Sequence, residues 1–83
     1  MRFIVESAVA GAFTPEIQAL LPAESARGIE LDAQGIREAL YLSSDYSRAW
    51  QILRADSREA LDRTLASFPL HQYSTHTVTQ LTD

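Results

Sequence analysis

No cysteine occurs anywhere in this 83-residue chain, and that absence removes disulfides and thiolate metal sites as stabilising devices. A chain this short buries only about 60–65% of the surface its unfolded form exposes. Small domains then lean on disulfides, a metal or oligomerisation. His71 and His76 stand five apart, and on a strand that spacing places them on opposite faces, so no histidine pair for a metal is expected. Oligomerisation remains. The chain is expected to pair with itself, as a homodimer or a larger homo-oligomer.

Length allows one domain, residues 1–83, and no second. Seven Lys and Arg stand against eleven Asp and Glu, a net charge of −4, with the signs interspersed. No basic stripe exists, so nucleic acid is not an expected partner. No run approaches the roughly 18 apolar residues of a membrane span, and no signal peptide is expected from the opening residues. The apolar opening, MRFIVESAVAG, is interrupted by Arg2 and Glu6. The cytoplasm is the expected location.

Arg2 to Ala10 mixes β-branched and aromatic residues up to Gly11, which predicts a strand buried on both faces. Thr14-Pro15-Glu16 is a helix start: a capping hydroxyl, a proline suited to the first turn, and an acid at the positive end. The helix is expected to reach Gly35, with a break, kink or restart at Pro22. Ile36–Ser43 and Tyr46–Ala55 read as strands joined in a hairpin by Ser43-Ser44-Asp45. Asp56-Ser57-Arg58-Glu59 has capping-box form, with Asp56 as the cap. Ala60, Leu61, Leu65 and Phe68 follow at helical spacing, Pro69 stops the helix, and Tyr73–Leu81 reads as a last strand.

The resulting order, β-α-β-β-α-β, is that of the ferredoxin-like α+β unit. It predicts a four-stranded antiparallel sheet with two helices on one face. Leu40, Leu42, Trp50, Ile52, Leu53 and Val78 are too many apolar strand residues for one covered face. A partner sheet is therefore expected on the other, enclosing a chamber walled by Arg48 and Trp50.

On a wheel at ~100° per residue, Ile17, Leu20, Leu21, Gly28 and Leu31 form one stripe, with Glu24 in its middle. A carboxylate among apolar side chains has its pKa raised, which suits a general acid or base near neutral pH. The competing outcome is that Pro22 rotates the register and leaves Glu24 exposed, or salt-bridged to a strand arginine. Gly28 fits close helix-on-sheet packing as well as room for a ligand. On the third strand Tyr46, Arg48, Trp50, Ile52 and Arg54 share a face by period two. An arginine between aromatics suits a small carboxylate, though it equally suits an edge arginine stacked on Trp50. Arg37 and Tyr41 share a face of the second strand and can join the same pocket. His71, Tyr73 and His76 read as surface residues.

These residues also carry a resemblance. Leu20, Glu24 and Gly35, then Leu40-Tyr41, Trp50-Gln51-Ile52-Leu53, Ser57-Arg58-Glu59-Ala60-Leu61, and Phe68-Pro69-Leu70 followed by Tyr73, Val78 and Leu81 resemble the muconolactone isomerase family. Its members are cofactor-free dimeric α/β barrels that shift a double bond in an unsaturated lactone bearing a carboxylate arm. The resemblance implies Glu24 as the base that moves the proton, and Arg48 or Arg37 as the carboxylate clamp. Tyr41 and Trp50 would form the wall, with no cofactor and no metal. The chain departs from the family in its second strand, Arg37-Glu38-Ala39-Leu40-Tyr41, where the family is rich in tryptophan and histidine. Tyr46 stands where the family has a further histidine. The chain is also shorter in the N-terminal loop and lacks a C-terminal extension.

The leading expectation is an isomerase-like enzyme acting by proton transfer on a lactone or another small unsaturated carboxylate. Two others stay open: a non-catalytic ligand-binding or oligomerisation module, and a cofactor-free oxygenase, cyclase or hydrolase on a related barrel.

Overall fold

The structure, a computed structural model, describes residues 1–83. Its elements run β1 (Arg2–Val9), α1 (Pro15–Ala33), β2 (Arg37–Leu42), β3 (Ala49–Arg54), α2 (Arg58–Ala66) and β4 (Ser74–Leu81), with a 3₁₀ turn at His71–Tyr73 before the last strand. The expected β-α-β-β-α-β order holds. The four strands form one sheet in the order β2-β3-β1-β4, every neighbouring pair antiparallel.

Local chemistry explains the element ends. Thr14 Oγ1 accepts the Ile17 N–H at 3.3 Å and starts α1. Gly35, at φ 73, ends it. The Ile36 N–H returns to the Leu31 carbonyl at 2.9 Å and the Gly35 N–H to Asp32 at 3.1 Å, the paired bonds of a Schellman motif. The cap of α2 is Ser57, whose hydroxyl accepts the Ala60 N–H at 3.1 Å. Asp56, the expected cap, lies one residue too early to reach that amide.

Pro22 neither breaks nor restarts α1, which is continuous from Pro15 to Ala33. Proline removes one backbone bond, here the partner of the Gln18 carbonyl. Gln18 and Pro22 are both exposed, so water can donate to that carbonyl in place of the missing N–H. Pro22→Ala is expected to stabilise the fold by about 2 kcal/mol, the interior proline cost of about 3 less the roughly 0.4–1 that proline saves by stiffening the unfolded chain. Urea unfolding checks this, and an unmoved midpoint would show that the helix absorbs the proline without loss.

Both helices press on one face of the sheet. Phe3, Val5 and Leu53 from the strands meet Leu61 and Leu65 from α2 in the central core, and α1 adds the buried Ile17 and Leu31. Strand β1 is thus fully covered on one face only: Phe3 and Val5 are buried, while Ile4 between them is half-buried.

The other face carries Arg2, Ile4 and Glu6 of β1 beside Trp50, Ile52 and Arg54 of β3. Arg2 and Arg54 stand directly opposite one another. A bulge in β2 between Arg37 and Ala39 supplies the carboxylate that separates them, since Glu38 accepts from Arg2 at 2.9 Å and from Arg54 at 2.5 Å. These bonds, Arg2's foremost, hold the Glu38 carboxyl down at about 2.

Candidate active site

The bulge also decides which residues meet. Arg37 pairs with Leu53 on the helix side of the sheet, whereas Tyr41 pairs with Trp50 on the uncovered side. The two residues therefore do not share a face, because the extra residue between Arg37 and Ala39 breaks the period-two alternation. Leu40 and Leu42 take the helix side with Arg37.

The third strand is shorter than its apolar pattern predicts, starting at Ala49. Residues 43–48 form its approach, closed by the Ser43 N–H on the Arg48 carbonyl at 2.9 Å. Asp45 organises this loop, accepting from Ser43 Oγ at 2.8 Å and from Ser47 N–H and Oγ at 3.0 and 2.7 Å. Those bonds, the Ser47 amide's first, hold its carboxyl down at about 2. Tyr46 is thereby forced to φ 62, a left-handed conformation uncommon for a bulky residue. So Tyr46 and Arg48 are loop residues, and the arginine is not sandwiched between aromatics on a strand.

A cavity of about 360 Å³ lies between the helices and the sheet. It continues outward into a second hollow of about 430 Å³. Ser7, Leu21, Glu24, Leu42, Ala49 and Ser74 line both, making them one cleft. The chamber is thus on the helix side, not on the uncovered face. This placement lets Glu24 reach it directly from α1.

Glu24 is half-buried, and its Oε1 accepts the Leu70 N–H at 2.9 Å. Burial pushes its carboxyl above the ordinary range, against the smaller opposing effects of that hydrogen bond and of the Arg37 charge. The competing outcome, Glu24 exposed or salt-bridged to a strand arginine, does not occur; its anchor is a backbone amide in the turn after Pro69.

Arg37 forms the inner end. Its Nε and Nη2 donate to the two carboxylate oxygens of Asp32 at 2.7 and 3.0 Å, and Nη1 donates to Gln51 Oε1 at 3.2 Å. The pairing pulls the Asp32 carboxyl below its usual range, chiefly through the hydrogen bond. Gly28 is the reason the guanidinium fits. A Cβ built there would stand 2.5 Å from Nη1 and 2.8 Å from Cζ. Gly28 therefore serves close packing, on the arginine that lines the cleft.

Of the other anticipated residues, Arg48 and Tyr46 flank the outer hollow with Phe13. Trp50 and Tyr41 face away: the Trp50 indole donates to Glu6 Oε1 at 3.0 Å, and Tyr41 beside it is 61% exposed. Arg48 reaches the same Glu6 at 3.4 Å.

The cleft also holds residues that the sequence left as surface. His71 is not on a strand but in the 3₁₀ turn, and its ring stacks on that of His76 with centroids 5.3 Å apart and planes 16° from parallel. His76 Nδ1 shares a 2.7 Å hydrogen bond with Ser7 Oγ, directly across the β1–β4 pairing. Burial, then the neighbouring His71, lowers the His76 pKa. Strand alternation alone separates the two histidines. A turn after Pro69 was the one available hint that they meet.

No helix is long and apolar enough to cross a membrane. Among curated proteins, no sequence matches the chain. Among solved structures, a crystal structure of muconolactone isomerase superposes with a TM-score of 0.85 at 23% identity, covering 100% of this chain and 90% of that one. A second, 5-chloro-2-hydroxyhydroquinone dehydrochlorinase from Burkholderia phenoliruptrix AC1100 in complex with 2,5-dihydroxybenzoquinone, gives a TM-score of 0.74 at 12% identity, over 99% and 94% of the two chains. At these identities the likeness is one of fold. The sequence profile of the muconolactone delta-isomerase family matches residues 1–83, the whole length over which β-α-β-β-α-β order and the Glu24 cleft are built. The chain belongs to the muconolactone delta-isomerase family.

Proposed function

We propose that this protein is an isomerase-like enzyme that moves a proton, and with it a double bond, in an unsaturated lactone or related small carboxylate. The observation that carries this is Glu24: a half-buried carboxyl with a raised pKa, fixed by one backbone amide, in a cleft walled by Leu21, Leu40, Leu42 and Phe68. Such a group removes a proton as carboxylate and returns it as carboxylic acid. Glu24 takes the proton from the γ carbon, at the far end of the double bond conjugated with the carbonyl, and the C–H electron pair moves into the dienolate. The Glu24 acid then delivers the same proton to the α carbon next to the carbonyl, which leaves the double bond between the β and γ carbons. No oxidant, reductant or cofactor enters that balance.

The arginines divide the remaining work. Arg37 is three-fifths committed to Asp32 and Gln51, so it contributes positive potential at the inner end. Arg48 has a 58% exposed side chain and one 3.4 Å partner, which leaves it free to take the substrate carboxylate at the rim, beside Tyr46. Tyr41 and Trp50 have no part in this pocket. With Ile4 and Ile52 they offer apolar surface on the uncovered sheet face, where a second copy is proposed to pack. A cytoplasmic location is part of the same proposal.

The test is direct. Wild-type protein is incubated in D2O with unsaturated lactones bearing a carboxymethyl arm, and the double-bond position is followed by proton NMR. Migration above the buffer rate is the expected result. Saturable binding without migration on any such lactone would replace this reading with that of a ligand-binding module.

A further inference from the structure

We propose that the Ser7 hydroxyl, oriented by His76, is the hydrogen-bond donor that holds the substrate's carbonyl oxygen as it gains negative charge. The inference deepens the isomerase reading and rests on it for the identity of the substrate.

It starts from where two protons must be. Ser7 Oγ and His76 Nδ1 are 2.7 Å apart, so one of them donates to the other. The opposite ring nitrogen, Nε2, is buried and has no hydrogen-bond partner. If Ser7 donated, the ring proton would sit on Nε2 as an orphaned buried N–H, an arrangement proteins rarely tolerate. With the proton on Nδ1, Nε2 is only an unpaired acceptor, the lesser loss. His76 therefore donates through Nδ1–H, and the Ser7 proton is left without a partner.

That proton has one place to go. Ser7 lies on the helix side of β1 and lines both parts of the cleft. With its oxygen accepting from His76, the O–H turns away from the ring toward the cleft. Burial and the neighbouring His71 disfavour a second proton on His76, so the donor to Ser7 is a neutral imidazole. Stacking on His71, whose own Nδ1 is also buried without a partner, restrains the ring from flipping its nitrogens.

The two sides of the cleft then have complementary tasks. Glu24 comes from helix α1 and takes the proton. Ser7 comes from the sheet opposite and meets the oxygen on which the resulting charge collects. A preorganised donor at that oxygen is worth roughly 10²–10³-fold in kcat. Ser7 is the group that would touch substrate; His76 positions it.

Three measurements test this. Long-range 15N–1H NMR of wild-type protein should show His76 protonated on Nδ1, and protonation on Nε2 would overturn the proposal without any variant. Substituted phenolates serve as stable stand-ins for the dienolate. Calorimetry should show Ser7→Ala weakening phenolate binding about 10–100-fold while leaving a neutral saturated lactone unaffected, and Ser7→Thr should restore most of the loss. Equal phenolate affinities in wild type and a folded Ser7→Ala would sink the idea. In turnover, Ser7→Ala should lower kcat about 10²-fold with KM little changed; an unchanged kcat counts against it. Should wild type isomerise no lactone, the isomerase reading falls, while the tautomer and phenolate measurements still decide the role of Ser7.

Discussion

Glu24→Gln is expected to lower kcat for lactone isomerisation by roughly 10²–10⁴-fold, the usual contribution of a positioned acid–base group, while the thermal midpoint at neutral pH stays level or rises. The two halves have one cause. Burial makes the Glu24 carboxylate costly and so raises its pKa; the amide of glutamine fills the same space without a charge. Its oxygen can still accept the Leu70 N–H that Glu24 accepts at 2.9 Å. A side chain that only capped the turn would show neither the loss of turnover nor the gain in stability.

The pH dependence carries the same signature. A carboxyl whose folded pKa exceeds its unfolded value destabilises the fold once ionised. Wild type should therefore gain stability relative to Glu24→Gln as pH falls from the raised folded pKa to the ordinary carboxylate range, and gain no more below it. Asp32, Glu38 and Asp45 act in the opposite sense. Their folded pKa values are lowered, so the stability they contribute is present above the ordinary carboxylate range and lost as pH falls further. The difference in midpoint between wild type and variant, plotted against pH, isolates Glu24. A flat difference would mean that its carboxyl titrates alike in both states.

Leu53→Ala is expected to be the most damaging core substitution, costing about 3–4 kcal/mol. Leu53 is fully buried and packs with Phe3, Val5, Leu61 and Leu65, where β1, β3 and α2 converge. Phe3 and Val5 are anchored in the sheet and Leu61 and Leu65 in α2, so they cannot collapse freely into the void. For a domain of this size the loss corresponds to a fall of roughly 12–30 °C in thermal midpoint, readable by circular dichroism. A drop of only a few degrees would show that the core relaxes around the missing side chain.

The order of elements was legible because its punctuation is local: Thr14-Pro15 starts a helix, Gly35 ends it, and Asp56-Ser57 and Pro69 bracket the second, with the cap falling on Ser57 one residue after the expected Asp56. The antiparallel sheet follows from that order. The site was less legible, because it depends on which side of the sheet each residue takes. One extra residue in β2 sent Arg37 to the helix side and Tyr41 to the other, where an unbroken period of two puts them together. A six-residue loop in place of a tight hairpin turn removed Tyr46 and Arg48 from the strand. Expecting the chamber on the bare sheet face made Glu24 hard to place, and the cleft under the helices removes that difficulty. His71 and His76 meet through a 3₁₀ turn that alternation along a strand does not anticipate. Ser7 became visible only through the β1–β4 register, a long-range pairing.

The β2 bulge has a consequence beyond sorting side chains. Strand β2 is an outer strand of the sheet, and a regular outer strand is a template on which another chain can extend the ladder toward fibres. Without Glu38, the present pairings of Ala39 through Leu42 would continue unchanged from Arg37. The cleft's faces would be kept, but the edge would become straight, and Arg2 and Arg54 would confront each other unneutralised. The inserted residue thus makes β2 a poorer template: it roughens the one border of β2 that has no neighbour, while its carboxylate lies inward on Arg54 and Arg2.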